Sequence, residues 1–458
     1  MSTVRPWSDR RQPARSGSAV RLWLCAVNLA LVAIGLYLVA AGARRAIWVV
    51  VLVPVAFAPF AYARLRLHRS LCRALPNHPA LIALLAVLGA GLDATMVGQL
   101  INARAAEAGS WLNGPVIGWA GPVWFSGHAL LLLGYGLLGL GRALRRVLRL
   151  VWQRPRPITD AGVRSDELVV GRREFLQQAG MLGAAAPFAI SLSGVPLSYA
   201  FRVDEHEIEL PHWPQALDGL RVAHLSDIHV GGGMDRERLR RVVALTNGAR
   251  PDLVVHTGDF LTHRRGDFDA PLYESLAAIT APYGQWACLG NHDFDDPTRL
   301  ERKLHDAGVI LLRDRVAAVA VDGHPLEIAG LDFLFERFAL GDAYRRIVAG
   351  WPARRVARLL LNHDPRAFAA LPDGCADLVL SGHTHGGHIG IQLGSGHAIT
   401  VVGLAGIPDQ GIFRRPGMRL FVTRCVGFYG YPMRVGIPPE IALLTLRAPS
   451  PRQGSART

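Results

Sequence analysis

The chain has 458 residues, half of them apolar, and a formal net charge of +14. That length exceeds one ordinary domain and leaves room for membrane-crossing segments beside a globular core. The charge does not mark a nucleic-acid binder: up to Ala200 there are 21 arginines against 7 acidic residues, whereas the remaining 29 basic and 29 acidic residues balance. The excess sits in short clusters between apolar runs, the pattern of cytoplasmic loops in a membrane protein. The five cysteines, Cys25, Cys72, Cys288, Cys375 and Cys425, form no C-x-x-C pair, which excludes a zinc knuckle and a disulfide framework.

Four apolar runs come first, at about 20–41, 46–63, 79–101 and 115–141. Each is close to the roughly 20 residues that span a bilayer, so residues 1–170 are expected to form an all-α transmembrane region of about four helices. Asp93 is the one acidic residue well inside a span, and carboxylates in such positions are functional candidates. Arginines cluster before the first run, after the second and after the fourth, which places the N-terminus and the segment after Arg142 in the cytoplasm.

Residues 171–201 begin with the twin arginine Arg172 and Arg173, followed by Phe175, Leu176 and an Ala/Gly-rich apolar stretch. The segment resembles a twin-arginine export signal, although an internal one, and a fifth span is the alternative. Either carries everything after about residue 201 across the membrane. The expected localisation is therefore the cell (inner) membrane, multi-pass, with the globular domain on the extracytoplasmic side.

From Phe201 the texture is that of a globular α/β domain. "LRVAHLSDIH", "PDLVVHTGD", "GQWACLGNHD", "RVARLLLNHDP" and "CADLVLSGHTH" each read as a buried strand with polar residues at its C-terminal end. "RERLRRVVALTNGA" and "APLYESLAAITA" have helical spacing between the first strands. The tail at 448–458 is Ser/Arg/Pro-rich and expected to be disordered. Gly231 to Gly233 form a loop near the first strand end but lack the spacing of a nucleotide-binding fingerprint.

In an open α/β sheet, ligands bind beyond the carboxyl ends of the strands. Five such ends carry metal-ligating residue types: Asp227 and His229, then Asp259, then Asn291, His292 and Asp293, then His363, then His383 and His385. One strand-end histidine is ordinarily a satisfied polar residue; five ends in order are not explained that way. His224, His256 and His263 are read as structural. Mixed Asp, Asn and His ligands without thiolates suit Mn, Fe or Zn. So many candidates exceed one catalytic zinc and fit two divalent metal ions sharing a carboxylate, an arrangement that clamps a phosphoryl group and acidifies a bridging water.

These blocks, "DIH", "GD", "GNHD", a single His and "GHTH", resemble the calcineurin-like metallophosphoesterase family over about residues 202–447. The closing segment "LFVTRCVGFYGYPMRVGIPPEIALLTL" is similar to that of its membrane-associated bacterial branch, some of whose members are twin-arginine exported. The resemblance implies a four-layer α/β/β/α sandwich. It implies a first metal on Asp227, His229, Asp259 and His385 and a second on Asp259, Asn291, His363 and His383. His292 would contact the phosphoryl oxygens or protonate the leaving group, with Asp293 orienting its ring; the alternative for Asp293 is a helix N-cap. His388 stands where related sequences often have glutamine, and "TRCVG" departs from a glycine-richer pattern.

The expected function is that of a membrane-anchored phosphodiesterase or phosphatase that attacks a phosphoester with metal-activated hydroxide. A UDP-2,3-diacylglucosamine-type pyrophosphate hydrolase acting on a lipid-linked substrate is the alternative, opposed by the extracytoplasmic placement. A non-enzymatic metal or phospholipid sensor would be expected to lose a ligand or His292, and a transporter finds little support in spans with one buried carboxylate. The partners expected are the phosphoester substrate and the membrane, with no nucleic acid.

Overall fold

A computed structural model describes residues 66–69, 81, 84, 85, 87–89, 117–151 and 166–449, apart from 232, 263–268, 336–339, 355, 394–397 and 429–432. The first two apolar runs, most of the third, Asp93, His263 and the tail after Pro449 lie outside the described residues. Contacts divide the chain into two units, of which the first takes in Trp124–Ala189 and the second Ile190–Thr458.

Helix α1 spans Ile117–Val151, with the first unit taking it from Trp124, and helix α2 begins at Asp166. Among the described residues, one stretch, Ser126–Arg146 in α1, is long and apolar enough to cross a membrane. Arg172 and Arg173 lie within α2, which runs unbroken over Asp166–Leu197. Its apolar part, Leu182–Leu197, is shorter than a full span. From Ile190 onward α2 belongs to the second unit. Ser191 and Ser198 are fully buried there, and Phe201 enters a core cluster.

The second unit is built on two six-stranded sheets. The first contains β1 (Val203–Glu209), β2 (Leu220–Leu225), β3 (Leu253–His256), β4 (Gln285–Ala287), β5 (Val309–Leu311) and β14 (Ile441–Arg447), in the spatial order β1-β14-β2-β3-β4-β5. The second contains β6 (Arg315–Val321), β7 (His324–Leu331), β8 (Ala357–Asn362), β9 (Leu378–Ser381), β12 (Gly411–Arg415) and β13 (Met418–Val422), in the order β12-β13-β9-β8-β7-β6. A separate hairpin pairs β10 (Gly390–Gln392) with β11 (Ala398–Thr400).

Strands β2 to β5 run parallel, as do β7, β8, β9 and β13. Parallel strands are buried on both faces, which is why these segments read as unbroken apolar runs. Leu253, Val255, Leu359, Leu361 and Leu380 meet between the sheets. The outer face of the first sheet packs on α3 (Arg236–Gly248), α4 (Ala270–Ala277) and α5 (Pro297–Asp306) through Leu239, Leu272 and Leu304. The outer face of the second packs on α6 (Leu340–Ala349) through Tyr344. Helix, sheet, sheet and helix stack as the four-layer α/β/β/α sandwich expected from the sequence.

Because β2, β3, β8 and β9 point the same polar ends toward one rim, the residues after them converge. His224 and His256 sit inside the strands, hydrogen-bonded to Thr257 at 2.8 Å and Gln285 at 3.1 Å, and are structural, in agreement with the sequence.

Candidate metal centre

The loops leaving these strands are bent by unusual backbone. Asp227, His229, Asp259, His383 and His385 all hold positive φ, between 51° and 68°. This conformation strains any side chain with a Cβ, and such strain concentrates at functional sites. Two glycines make the close approach possible: a Cβ on Gly290 would lie 2.2 Å from Asp259 Oδ1, and one on Gly382 would lie 2.3 Å from Asp227 Oδ2.

Two groups of side chains could each hold a metal ion: Asp227, His229 and His385, and Asp259, His363 and His383. In the first, Asp227 Oδ1 stands 3.2 Å from His385 Nε2 and 3.8 Å from His229 Nε2. His385 donates its Nδ1 proton to the Gly427 carbonyl at 3.2 Å, which leaves Nε2 presenting a lone pair to the carboxylate. In the second, His363 donates from Nδ1 to the Thr257 carbonyl at 2.6 Å, and its Nε2 lies 3.3 Å from Asp259 Oδ2, 3.0 Å from His383 Nδ1 and 3.2 Å from Asn291 Oδ1. Asp259 Oδ2 is also 3.5 Å from His229 Nε2, so it faces both groups.

The donor set fits a pair of cations. The outer oxygen of Asp227, Oδ2, accepts from the Ser226 hydroxyl, the His383 amide at 3.0 Å and the Cys425 thiol at 3.1 Å. Its inner oxygen, Oδ1, is buried and accepts no hydrogen bond among the described residues. Burial lowers His229 to about 4 and holds His385 well below the usual imidazole range, so both are neutral at pH 7, the form in which an imidazole can bind a metal. Burial alone would also keep His363 neutral, yet the carboxylates of Asp259 and Asp227 raise it to about 10. The space between these carboxylates therefore favours positive charge, which a metal ion supplies.

The sequence-derived candidates thus come together on one rim, with two distinctions. His292 lies beside the first group, its ring 5.1 Å from that of His229 and its amide donating to Asp259 Oδ1 at 2.8 Å. Asp293 was expected to orient the His292 ring, but its two oxygens accept from the amides of Asp259 at 2.8 Å, Phe260 at 3.0 Å and Gly290 at 2.8 Å. It fixes the backbone that presents Asp259. Burial, reinforced by the Asp259 charge, pushes the Asp293 carboxyl up to about 7. The N-cap of α5 is Asp296, not Asp293.

Comparison with known proteins agrees with this geometry. The profile of the calcineurin-like phosphoesterase family matches residues 220–387. The uncharacterized metallophosphoesterase YkuE of Bacillus subtilis is 31% identical over 293 residues, which cover 61% of this chain and 98% of that protein. The chain belongs to the calcineurin-like metallophosphoesterase family. The transmembrane protein with metallophosphoesterase domain of Danio rerio is 30% identical over 54% of this chain and 57% of its own length. The UDP-2,3-diacylglucosamine pyrophosphatase LpxG of Chlamydia muridarum is 24% identical over 50% of this chain and 84% of its own.

Like its relatives, this metallophosphoesterase is a phosphoester hydrolase. Several residues around its centre are not evident from the sequence. Cys425, 198 positions from Asp227, supplies one of the three donors to that carboxylate. His388, which is not among the ligand candidates, packs on His385 with ring centroids 4.7 Å apart. An aromatic wall rises beside the second group: Phe333 lies 5.6 Å from His383 and 5.9 Å from His363, and Phe335 lies 5.0 Å from Phe333 and 5.5 Å from Phe294. The signal for the wall is the aromatic run "DFLF" directly after an apolar strand.

Proposed function

We propose that this metallophosphoesterase is anchored in the membrane and hydrolyses a phosphoester with an apolar or aromatic substituent at a dinuclear centre. The observation that carries the dinuclear reading is the position of Asp259, whose Oδ2 is within 3.5 Å of His229 and 3.3 Å of His363. One ion would be held by Asp227, His229, Asp259 and His385, the other by Asp259, Asn291, His363 and His383. When bound, the two divalent ions supply the charge that clamps a phosphoryl group and lowers the pKa of water near neutral pH.

The residues of the chain do the rest. Asp259 spaces the two ligand groups, and Asp293 holds its backbone in place. His292 stands at the edge of the first group, where its imidazole can bind a phosphoryl oxygen or give a proton to the leaving oxygen. The wall of Phe294, Phe333 and Phe335 offers apolar surface to the ester substituent and limits water on that side. Helix α1 supplies the anchor, and the arginine distribution favours an extracytoplasmic catalytic unit.

A second reading, hydrolysis of a lipid-linked pyrophosphate, is favoured by the likeness to LpxG and by the aromatic wall. It requires a nucleotide-linked substrate and hence a cytoplasmic site. A C-terminal reporter fusion decides between the two sides.

The test of the catalytic reading uses the full chain in detergent, wild type and Asp259→Asn, with bis-p-nitrophenyl phosphate and p-nitrophenyl phosphate, in Mn²⁺ and after chelation. Metal-dependent turnover lost in Asp259→Asn supports the proposal. Turnover that survives both chelation and the substitution sinks it.

A further inference from the structure

Among its described residues, the hairpin after the GHTH loop turns a set of large apolar side chains outward. Ile391 and Ile399 are direct cross-strand partners and are 66% and 50% exposed. Leu393, two residues beyond Ile391, is 54% exposed, and Val401 and Leu404, on the helical turn after β11, are 62% and 79% exposed. A two-stranded hairpin has little core of its own, and an apolar outward face is an interaction surface.

Two further observations identify the occupant. Past the buried GHTH loop, from Ile389 to Pro408, the sequence contains no Asp, Glu, Lys or Arg, an unusual run for a surface segment and the composition that hydrocarbon tolerates. The same chain carries α1, long and apolar enough to cross a bilayer.

The hairpin is also braced to the metal centre. Thr400 donates to Asp409 Oδ2, the Asp409 carbonyl accepts from the Thr384 hydroxyl at 2.7 Å, and Gln410 donates to the Gly386 carbonyl at 3.4 Å. Thr384 and Gly386 flank His385. A surface immersed through this hairpin therefore meets the chain a few residues from a candidate ligand.

We infer that the face formed by Ile391, Leu393, Ile399, Val401 and Leu404 inserts into the acyl region of a lipid bilayer and brings phosphates at the headgroup level to the rim of the metal centre. The inference goes beyond the catalytic reading, since it rests on the exposed face and not on turnover. Interfacial segments of this kind bury about 5–10 Å into the headgroup and acyl boundary.

The experiment uses the full chain with Cys25→Ser and Cys72→Ser, since Cys288, Cys375 and Cys425 are buried. A nitroxide is placed at Leu404→Cys, a second preparation carries it at Val401→Cys, and a control carries it at Asp306→Cys, an exposed position on α5. Each is reconstituted in phosphatidylcholine vesicles, and relaxation by oxygen is compared with relaxation by a water-soluble nickel complex. An oxygen-to-nickel ratio several-fold higher at 404 and 401 than at 306 is the expected result. Equal ratios at all three positions overturn the inference. So does low access to both reagents with spin–spin broadening, which assigns the face to a second copy of the chain, or without broadening, which assigns it to protein packing.

Discussion

The Ser198 hydroxyl accepts the backbone amide of Arg434 at 2.9 Å, which fastens the end of α2 to the shell of the metal centre. Arg434 is fully buried, and its guanidinium donates to the carbonyls of His385 at 3.0 Å, Cys425 at 3.2 Å and Gly427 at 2.6 Å. Ser198→Ala is expected to cost about 1 kcal/mol, the net worth of one buried hydrogen bond. Arg434→Met leaves three buried carbonyls without this donor and is expected to cost about 3 kcal/mol or more, with loss of bound metal. Thermal unfolding of the full chain and its metal content, compared between the two variants, measure both.

Cys425 acts on Asp227 through its thiol. Cys425→Ser keeps a donor at that position and is expected to retain Mn²⁺ binding, whereas Cys425→Ala removes one of the three donors that orient the carboxylate. Loss of such an outer partner weakens metal affinity by roughly 10-fold or more. Titration of the full chain with Mn²⁺ distinguishes the two; equal affinity in Cys425→Ala would show that Ser226 and His383 suffice.

Gly290→Ala introduces a methyl 2.2 Å from Asp259 Oδ1 and 2.4 Å from the Asp259 amide. Neither contact can yield without moving Asp259, the carboxylate that faces both candidate ligand groups. The cost in stability is expected to be about 1–3 kcal/mol, typical of overpacking, while turnover falls to background. Metal-dependent hydrolysis together with the unfolding midpoint separates the local effect from global loss of fold.

Glu440 provides the acid limb of stability. Burial alone would raise its carboxyl, but the hydrogen bond with His206 and the charge of Arg424, 2.9 Å away, outweigh it and hold the group at about 2, below its usual 4.5. A depressed folded pKa contributes stability that is complete above about pH 4.5 and lost as pH falls toward 2. Glu440→Gln is therefore expected to destabilise the protein by on the order of 3 kcal/mol at pH 7, with the difference from wild type closing across that acid range. Urea midpoints against pH check the sign.

The aromatic wall is tested by Phe335→Ala. Phe335 is 62% exposed and touches no candidate ligand, so metal binding is expected to be unchanged. KM for an aryl or long-chain phosphodiester should rise roughly 5-fold, the scale of losing one aromatic contact of about 1 kcal/mol, with KM for a small monoester unaffected. A uniform change for both substrates would argue against contact with the ester substituent.

Much of this site is legible in the sequence because parallel strands print themselves as unbroken apolar runs, and the polar residues at the C-terminal end of each run must lie at one rim. Asp227, Asp259, His363 and His385 can be placed from that alone. The resemblance adds their division into two groups and the order of the layers, which local periodicity does not contain. Asp293 differs from expectation because a carboxylate next to a histidine suggests a partner for its ring, whereas three buried amides claim it in the folded chain. Cys425 and Arg434 are invisible for another reason. Their partners are far away in sequence, and nothing in a Cys or an Arg near a strand end announces which distant carboxylate or carbonyl it will meet.

The position of β14 has a bearing on how this protein is made. It lies between β1, to which it is parallel, and β2, to which it is antiparallel. The first sheet consequently lacks an internal strand until residues 441–447 have left the ribosome, and a chain cut short of Ile441 presents two open strand edges, the charged one of β1 and the apolar one of β2. Glu440, which clamps Arg424, arrives with the same strand. Synthesis through residue 447 thus precedes the first moment at which the Asp227 loop can be braced from both sides, so a product terminated before β14 is exposed to aggregation and does not persist as a partly working enzyme.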